Sequence, residues 1–178
     1  MDSFKFLRGY NFFHPHTNTY LGLLMSNPPY HDSNISNPLT GISPSKLSNY
    51  NGLWTIHTYS ELNKDYLTRI IIGENKSTDE TLCFTATKEY FEDDAAYCEI
   101  SANPRAGTPD QNFYFKPVVF QNFTQYFEIC IDIHSRHYVV GMRKLADGSF
   151  NVRLQEYSME AEYLDQTLFT LTPTYAVL

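Results

Sequence analysis

From Tyr126 to His134 alternate residues fall on opposite faces of an extended strand, and one face collects Tyr126, Glu128, Cys130, Asp132 and His134. The other collects Phe127, Ile129, Ile131 and Ile133. Two carboxylates, a thiol, a phenol and an imidazole on one face are the ingredients of proton-transfer chemistry. A desolvated carboxyl has its pKa raised and becomes a general acid or base, and a phenol donates a hydrogen bond to a polarised carbonyl. Glu128 or Asp132 is the candidate base and Tyr126 the candidate donor. The competing reading makes this a solvated outer face, paired across strands with Arg143, Lys144 or Arg153. Alternation fixes which residues share a face and leaves open which face is inward.

Further candidates come from neighbouring β-patterned stretches. His57 and Tyr59 share a side of one strand, opposite Trp54 and Ile56, and Arg69 lies on the next. With Tyr114, Tyr126 and His134 they are the candidate ligand contacts. Two histidine pairs, His14 with His16 and His134 with His137, invite a metal hypothesis. A metal site needs at least three converging ligands, and neither pair brings a third, so no metal is expected. The run Glu89-Tyr90-Phe91-Glu92-Asp93-Asp94 lacks the alternating oxygens and central Gly of a calcium loop and reads as a solvated connection. There is no Gly-rich phosphate cradle, nucleophile elbow or Cys-x-x-Cys pair, and no cofactor is expected. Asn34, Asn75 and Asn122 each begin a glycosylation acceptor pattern, which an Asn-rich chain produces readily.

Positioning these groups falls to short runs rich in Thr, Val, Ile, Phe and Tyr from Leu53 onward, broken by turn residues. Strands are expected near 53 to 60, 67 to 73, 81 to 88, 96 to 101, 112 to 120, 125 to 134, 137 to 145, 149 to 156 and 168 to 176. Asp147-Gly148 marks a hairpin, because those residue types accept the positive φ angles of a tight turn. Ser158 to Leu164 reads as one short helix capped by Ser158. Strands without intervening helices exclude a parallel α/β fold and indicate an all-β antiparallel meander, closed as a barrel or folded as two sheets in a jelly roll. Residues 1 to 51, with Asn, Ser and Pro recurring and no sustained period, read as an irregular arm with one short helical turn near residues 3 to 8, packed on a 52 to 178 body through its aromatic spots.

Composition sets the limits on partners. A formal net charge of -7, with 13 scattered basic residues, argues against nucleic acid, whose phosphates need clustered Lys and Arg. No apolar run has the roughly 18 to 20 residues that span a bilayer, and no basic amphipathic stretch suggests an interfacial helix, so no membrane partner is expected. Three cysteines cannot all pair within one chain, and no secretory leader is visible; reduced thiols in a cytoplasmic protein are the expectation, with a Cys83 to Cys98 bridge in a secreted mature chain left open. The 14 Tyr and 13 Phe favour strands and broad binding surfaces with a polar tip.

Gly52-x-Trp54 at the start of the first of these strands, followed by about eight meandering strands, resembles the lipocalins and the wider calycin group. The resemblance covers residues 52 to 176 in layout, without a mid-chain Thr-Asp-Tyr motif or an evident Arg over Trp54. It implies an up-and-down β-barrel with Trp54 across its closed end and a mouth that admits a small hydrophobic or aromatic ligand. Three functions follow as expectations: a small-molecule binding protein; an isomerase or cyclase on the same barrel using an interior carboxylate and a Tyr; or a structural or assembly protein. Oligomeric state stays open, a homodimer among the alternatives.

Overall fold

A computed structural model describes residues 9–23, 37–48, 52–61, 64–72 and 82–174, with side chains for all of these except 57–61, 64–72 and 173–174. The described residues are all-β with one short α-helix. Its strands are β1 (Gly9–His14), β2 (Thr19–Leu23), β3 (Asn37–Ile42), β4 (Trp54–Glu61), β5 (Lys64–Ile72), β6 (Leu82–Glu92), β7 (Ala95–Pro104), β8 (Tyr114–Gln121), β9 (Thr124–Ile133), β10 (Arg136–Lys144), β11 (Phe150–Glu156) and β12 (Thr170–Thr174). Helix α1 (Ala161–Thr167) precedes β12. Every strand expected from Leu53 onward is present within a few residues. The helix begins later than expected: Glu160 is its N-cap, and the Ser158 hydroxyl instead accepts the Glu160 N–H.

The expected irregular arm holds three strands that belong to the sheet. β1 pairs with β2, β4 and β12, and β3 pairs with both β2 and β7. Asn- and Pro-rich spacing hides them, because each strand is only five or six residues long and part of its ladder is supplied from far away in sequence, by β12 and β4 for β1 and by β7 for β3. The helical turn expected near residues 3 to 8 lies outside the described residues.

All twelve strands form a single antiparallel sheet. Three long hairpin-type pairings, β4 with β5, β8 with β9 and β12 with β1, alternate with three others, β2 with β3, β6 with β7 and β10 with β11. β7 joins the second set by pairing with both β3 and β11. The chain therefore repeats one four-strand pattern three times, in a pseudo-threefold, trefoil-like arrangement. This corrects the up-and-down barrel, in which a strand pairs only with its chain neighbours and the two ends meet, and the two-sheet jelly roll. Among the described residues the two ends of the hydrogen-bonded path, β3 and β8, do not pair with each other; β3 folds back onto β7, and β9 meets the segment before β12 through the bridge of Phe127 with Phe169.

What the sheet curls around is a filled aromatic centre. Trp54 is fully buried, stacks near Phe12 with ring centroids 6.4 Å apart and meets Phe84 edge-on at 4.5 Å. Phe84 in turn meets Phe113 at 5.8 Å, and Phe12 meets Phe115 at 5.9 Å. Leu21, Leu23, Leu82, Ile129, Ile131, Val140, Met142 and Leu154 complete the same cluster. The indole N–H donates to the Leu21 carbonyl at 2.9 Å, so the one polar atom of Trp54 is satisfied inside the core. Neither Arg143 nor Arg153 covers Trp54; Arg153 instead stacks on Tyr97, 3.6 Å from the ring centre, and bonds Glu92 at 2.7 Å.

Local turn chemistry accounts for the hairpins. Asp93-Asp94, Asn122-Phe123 and His134-Ser135 each place two successive residues at positive φ, the geometry that matches the twist of paired strands. The expected Asp147-Gly148 turn is present, with Gly148 alone at φ 85 and Asp147 Oδ1 accepting the Ser149 N–H at 2.9 Å. Cys83, Cys98 and Cys130 are buried and none forms a disulfide.

His14, the last residue of β1, ties the strand to the helix. Its Nδ1 accepts the Thr17 N–H at 3.3 Å, which leaves Nε2–H to donate to the Gln166 carbonyl at 3.0 Å. Burial holds its pKa down at about 4.

Two outcomes are expected. Phe84→Ala, which empties the centre between Phe12, Trp54 and Phe113, should cost about 3–5 kcal/mol in urea unfolding. The neutral His14 favours the folded state fully above pH 6.5; that contribution should fade as pH drops toward 4, by up to about 3 kcal/mol. Subtracting the pH–stability curve of His14→Gln from that of the parent chain isolates it.

Candidate polar site on the outer face

Strands β8, β9 and β10 form a meander whose two faces do different work. One sends Ile129, Ile131, Tyr138, Val140 and Met142 into the aromatic centre. On the other, register aligns three rows: Lys116 opposite Glu128, Tyr114 opposite Cys130 and then Val139, and Asp132 opposite His137. Helix α1 and the segment before it lie over this face, and Tyr163 and Leu164 pack on Cys130, Val139 and Tyr114. The face that alternation assigns to Glu128 and Asp132 is thus the outer side of the sheet, partly roofed by a second layer.

Burial splits the two carboxylates. Glu128 is only 1% exposed. Its Oε1 lies 3.1 Å from the Thr167 hydroxyl, which is equally close to the Tyr163 carbonyl, and its Oε2 is 3.6 Å from Lys116 Nζ. A buried carboxylate needs such partners, because an unpaired charge in a dry site costs several kcal/mol. Lys116 also sits 4.2 Å over the Tyr157 ring, which braces it above Glu128.

The Asp132 side chain is 63% exposed, yet it is held in place. Its Oδ1 accepts from the Tyr114 hydroxyl at 3.1 Å and lies 2.8 Å from His137 Nδ1, which is itself 2.8 Å from the Tyr114 oxygen. This trio uses one oxygen of the carboxylate and one nitrogen of the imidazole. Oδ2 of Asp132 and Nε2 of His137 make no hydrogen bond among the described residues. The Tyr157 ring stands 5.3 Å from His137 and 5.7 Å from Tyr163. Asp132 also borders an open cleft of about 490 Å³ lined by Ala86, Thr87, Pro109, Asp110, Ile133 and His134, within the size range of small-molecule sites.

No activated nucleophile stands here. Burial, with the nearby Glu128 charge, pushes the Cys130 thiol up to about 12. Burial and then the charges around Cys130 and Asp132 push the Tyr114 phenol up, so it remains a donor at neutral pH. What the arrangement offers is a fixed acceptor, an imidazole, an ammonium and an aromatic face at the solvent boundary.

The structure brings Tyr114 and Asp132 into contact and sets Glu128 in a neighbouring row of the same face. Tyr126 lies beyond the register shift between Pro117 and Val119 and is opposite Val119, outside the cluster. His134 occupies the β9–β10 turn, where its Nδ1 is 3.7 Å from Glu89. His57 pairs with Arg69 across β4 and β5, and the side chains of His57, Tyr59 and Arg69 lie outside the described residues. Among the described residues no cluster of three metal ligands forms. Arg143 and Lys144 do not pair with this face; they border a cleft of about 560 Å³ with His16, Thr17, Glu162, Asp165 and Gln166.

Sequence reasoning missed Lys116, Tyr157, Tyr163 and Thr167, and considered His137 only as a partner of His134 for a metal. Counting register outward from the His134-Ser135 turn finds His137 opposite Asp132; nothing in the sequence points to the residues that the helix brings.

No protein-family profile and no curated protein sequence matches the chain. Solved structures match in fold. The botulinum neurotoxin serotype D binding domain aligns over 94% of this chain and 42% of its own, with TM-score 0.61 and 11% identity. A protein O-mannosyltransferase complex from S. cerevisiae, bound to the sugar donor, aligns over 97% of this chain and 25% of its own, with TM-score 0.63 and 12% identity. The SDF2-like protein from Arabidopsis thaliana aligns over 96% of this chain and 95% of its own, with TM-score 0.56 and 10% identity. The chain thus spans less than half of the toxin domain and a quarter of the transferase chain, and at these identities the likeness is one of all-β, curled antiparallel fold.

Proposed function

We propose that the chain is a small-molecule binding module whose ligand is hydroxyl-rich, a glycan, held on the outer face of β8, β9 and β10. The observation that carries this reading is Asp132: a solvent-facing carboxylate fixed by Tyr114 and His137 beside the Tyr157 ring and at the lip of a cleft. A sugar presents vicinal hydroxyls that a carboxylate and an imidazole engage together, and apolar C–H faces that rest on an aromatic ring. Fixing these groups before the ligand arrives lowers the entropy of binding that would otherwise oppose it. Two of the fold neighbours point to sugars as the first ligands to try: a serotype D toxin binding domain solved with N-acetylneuraminic acid, and the transferase bound to its sugar donor.

The expected hydrophobic ligand fits less well, since Phe12, Trp54, Phe84 and Phe113 fill the centre of the described core. Isomerase or cyclase chemistry through Glu128 meets a similar obstacle, because Lys116 and Thr167 already occupy both of its oxygens.

Screening the purified chain against an immobilised glycan panel, followed by calorimetry on the best binder, tests the proposal. Asp132→Asn should weaken binding roughly ten- to a hundredfold, the worth of a charge-assisted hydrogen bond, with its melting temperature nearly unchanged, and Tyr157→Phe, which keeps the ring, should bind within about threefold of the parent while Tyr157→Ala loses about tenfold. A panel with no binder, or an Asp132→Asn or Tyr157→Ala variant that binds as the parent does, would sink it.

A further inference from the structure

The β8–β9 hairpin ends in a group of apolar side chains that stand exposed, with no cover among the described residues. Phe123 is 97% exposed and Phe120 65%, with Val118 and Val119 at 38% and 39%. The turn itself is unfavourable for a ring: Asn122 and Phe123 take φ 50 and 61, in the left-handed region where a bulky residue is an outlier and Gly is at ease. Among the described residues two other turns of this kind carry Asp93-Asp94 and His134-Ser135, which suit both the backbone and water. A Phe that strains its backbone and leaves its ring in water is not explained by folding.

Two features identify the occupant. The four side chains present roughly 400 Å² of apolar surface on a narrow tip, well below the ~800 Å² per partner of a stable protein interface. A lipid interface needs no matching shape and accepts aromatic side chains at its boundary. Charge then selects the lipid. Between Lys116 and Glu128 the hairpin carries no charged residue, and the whole chain is at -7, so anionic headgroups gain nothing and repel the body. We propose that the tip formed by Val118, Val119, Phe120 and Phe123 inserts into the surface of a neutral, zwitterionic bilayer. A hairpin tip is neither a spanning segment nor a basic amphipathic helix, so the signals by which sequence excludes a membrane do not detect it. The inference does not depend on the glycan reading.

Cosedimentation of the full chain with phosphatidylcholine vesicles tests it. The parent chain should pellet with the vesicles, and raising salt from about 0.05 to 0.5 M should leave the bound fraction unchanged, since no basic contact is being screened. Phe123→Gly should cut that fraction at least tenfold while its melting temperature stays level or rises, because Gly relieves the left-handed strain; F120S combined with F123G should abolish binding. A purely structural Phe123 would give the opposite sign in the melt. The proposal is overturned if the chain ignores phosphatidylcholine, if binding requires phosphatidylserine and vanishes in salt, if Phe123→Gly binds as the parent does, or if the same substitution instead dissolves a dimer in sedimentation velocity.

Discussion

Everything in the fold leans on Trp54. Its indole sits where β1, β2, β4 and β6 meet, touching Phe12 and Phe84 and donating to the Leu21 carbonyl. Because most ladders join chain neighbours and only a few, such as β1 with β12 and β7 with β3, link distant segments, hairpins alone do not define how the three repeats face one another. A rigid aromatic group that makes apolar contact on its faces and one directed hydrogen bond does. With a close-packed interior on one side, the polar groups of β9 are left to the other side of the sheet.

That second side shows how a small protein accommodates charge near its core. α1 and Tyr163 bury the middle of the outer face, and the buried Glu128 is matched by Lys116 and Thr167, whereas Asp132, four residues along, stays at the edge of the helix's shadow. Two carboxylates on one face of one strand thus become a structural group and an accessible one. The difference comes from where a seven-residue helix ends.

Local features of the fold were legible in the sequence, and long-range ones were not. Period-two alternation located β9 and sorted Glu128 with Asp132, and Asp147-Gly148 marked its hairpin, because both are statements about neighbours in the chain. Gly52-x-Trp54 pointed to a Trp that is buried, but that Trp lies in the middle of a filled core and not across the end of a barrel, and the barrel itself failed on the pairings of β7 with β3 and β11, which no local pattern encodes. The same limit applied to the site. Tyr114 and Asp132 were named and do meet, while Tyr126 and His134 share their parity with Asp132 but are diverted by a register shift and a turn. Tyr157 and Thr167 arrive through tertiary packing alone.

Burial of the thiols gives the two layers separate reporters. Cys98 belongs to the central cluster and Cys130 to the one beneath α1, and burial raises both, to about 11 and about 12, so neither is a thiolate while its layer is closed. An alkylating reagent therefore gains access only during an opening event. Lifting the helix would unmask Cys130 alone, and Cys98 would follow only when the centre comes apart, so the two labelling rates separate local breathing from global unfolding.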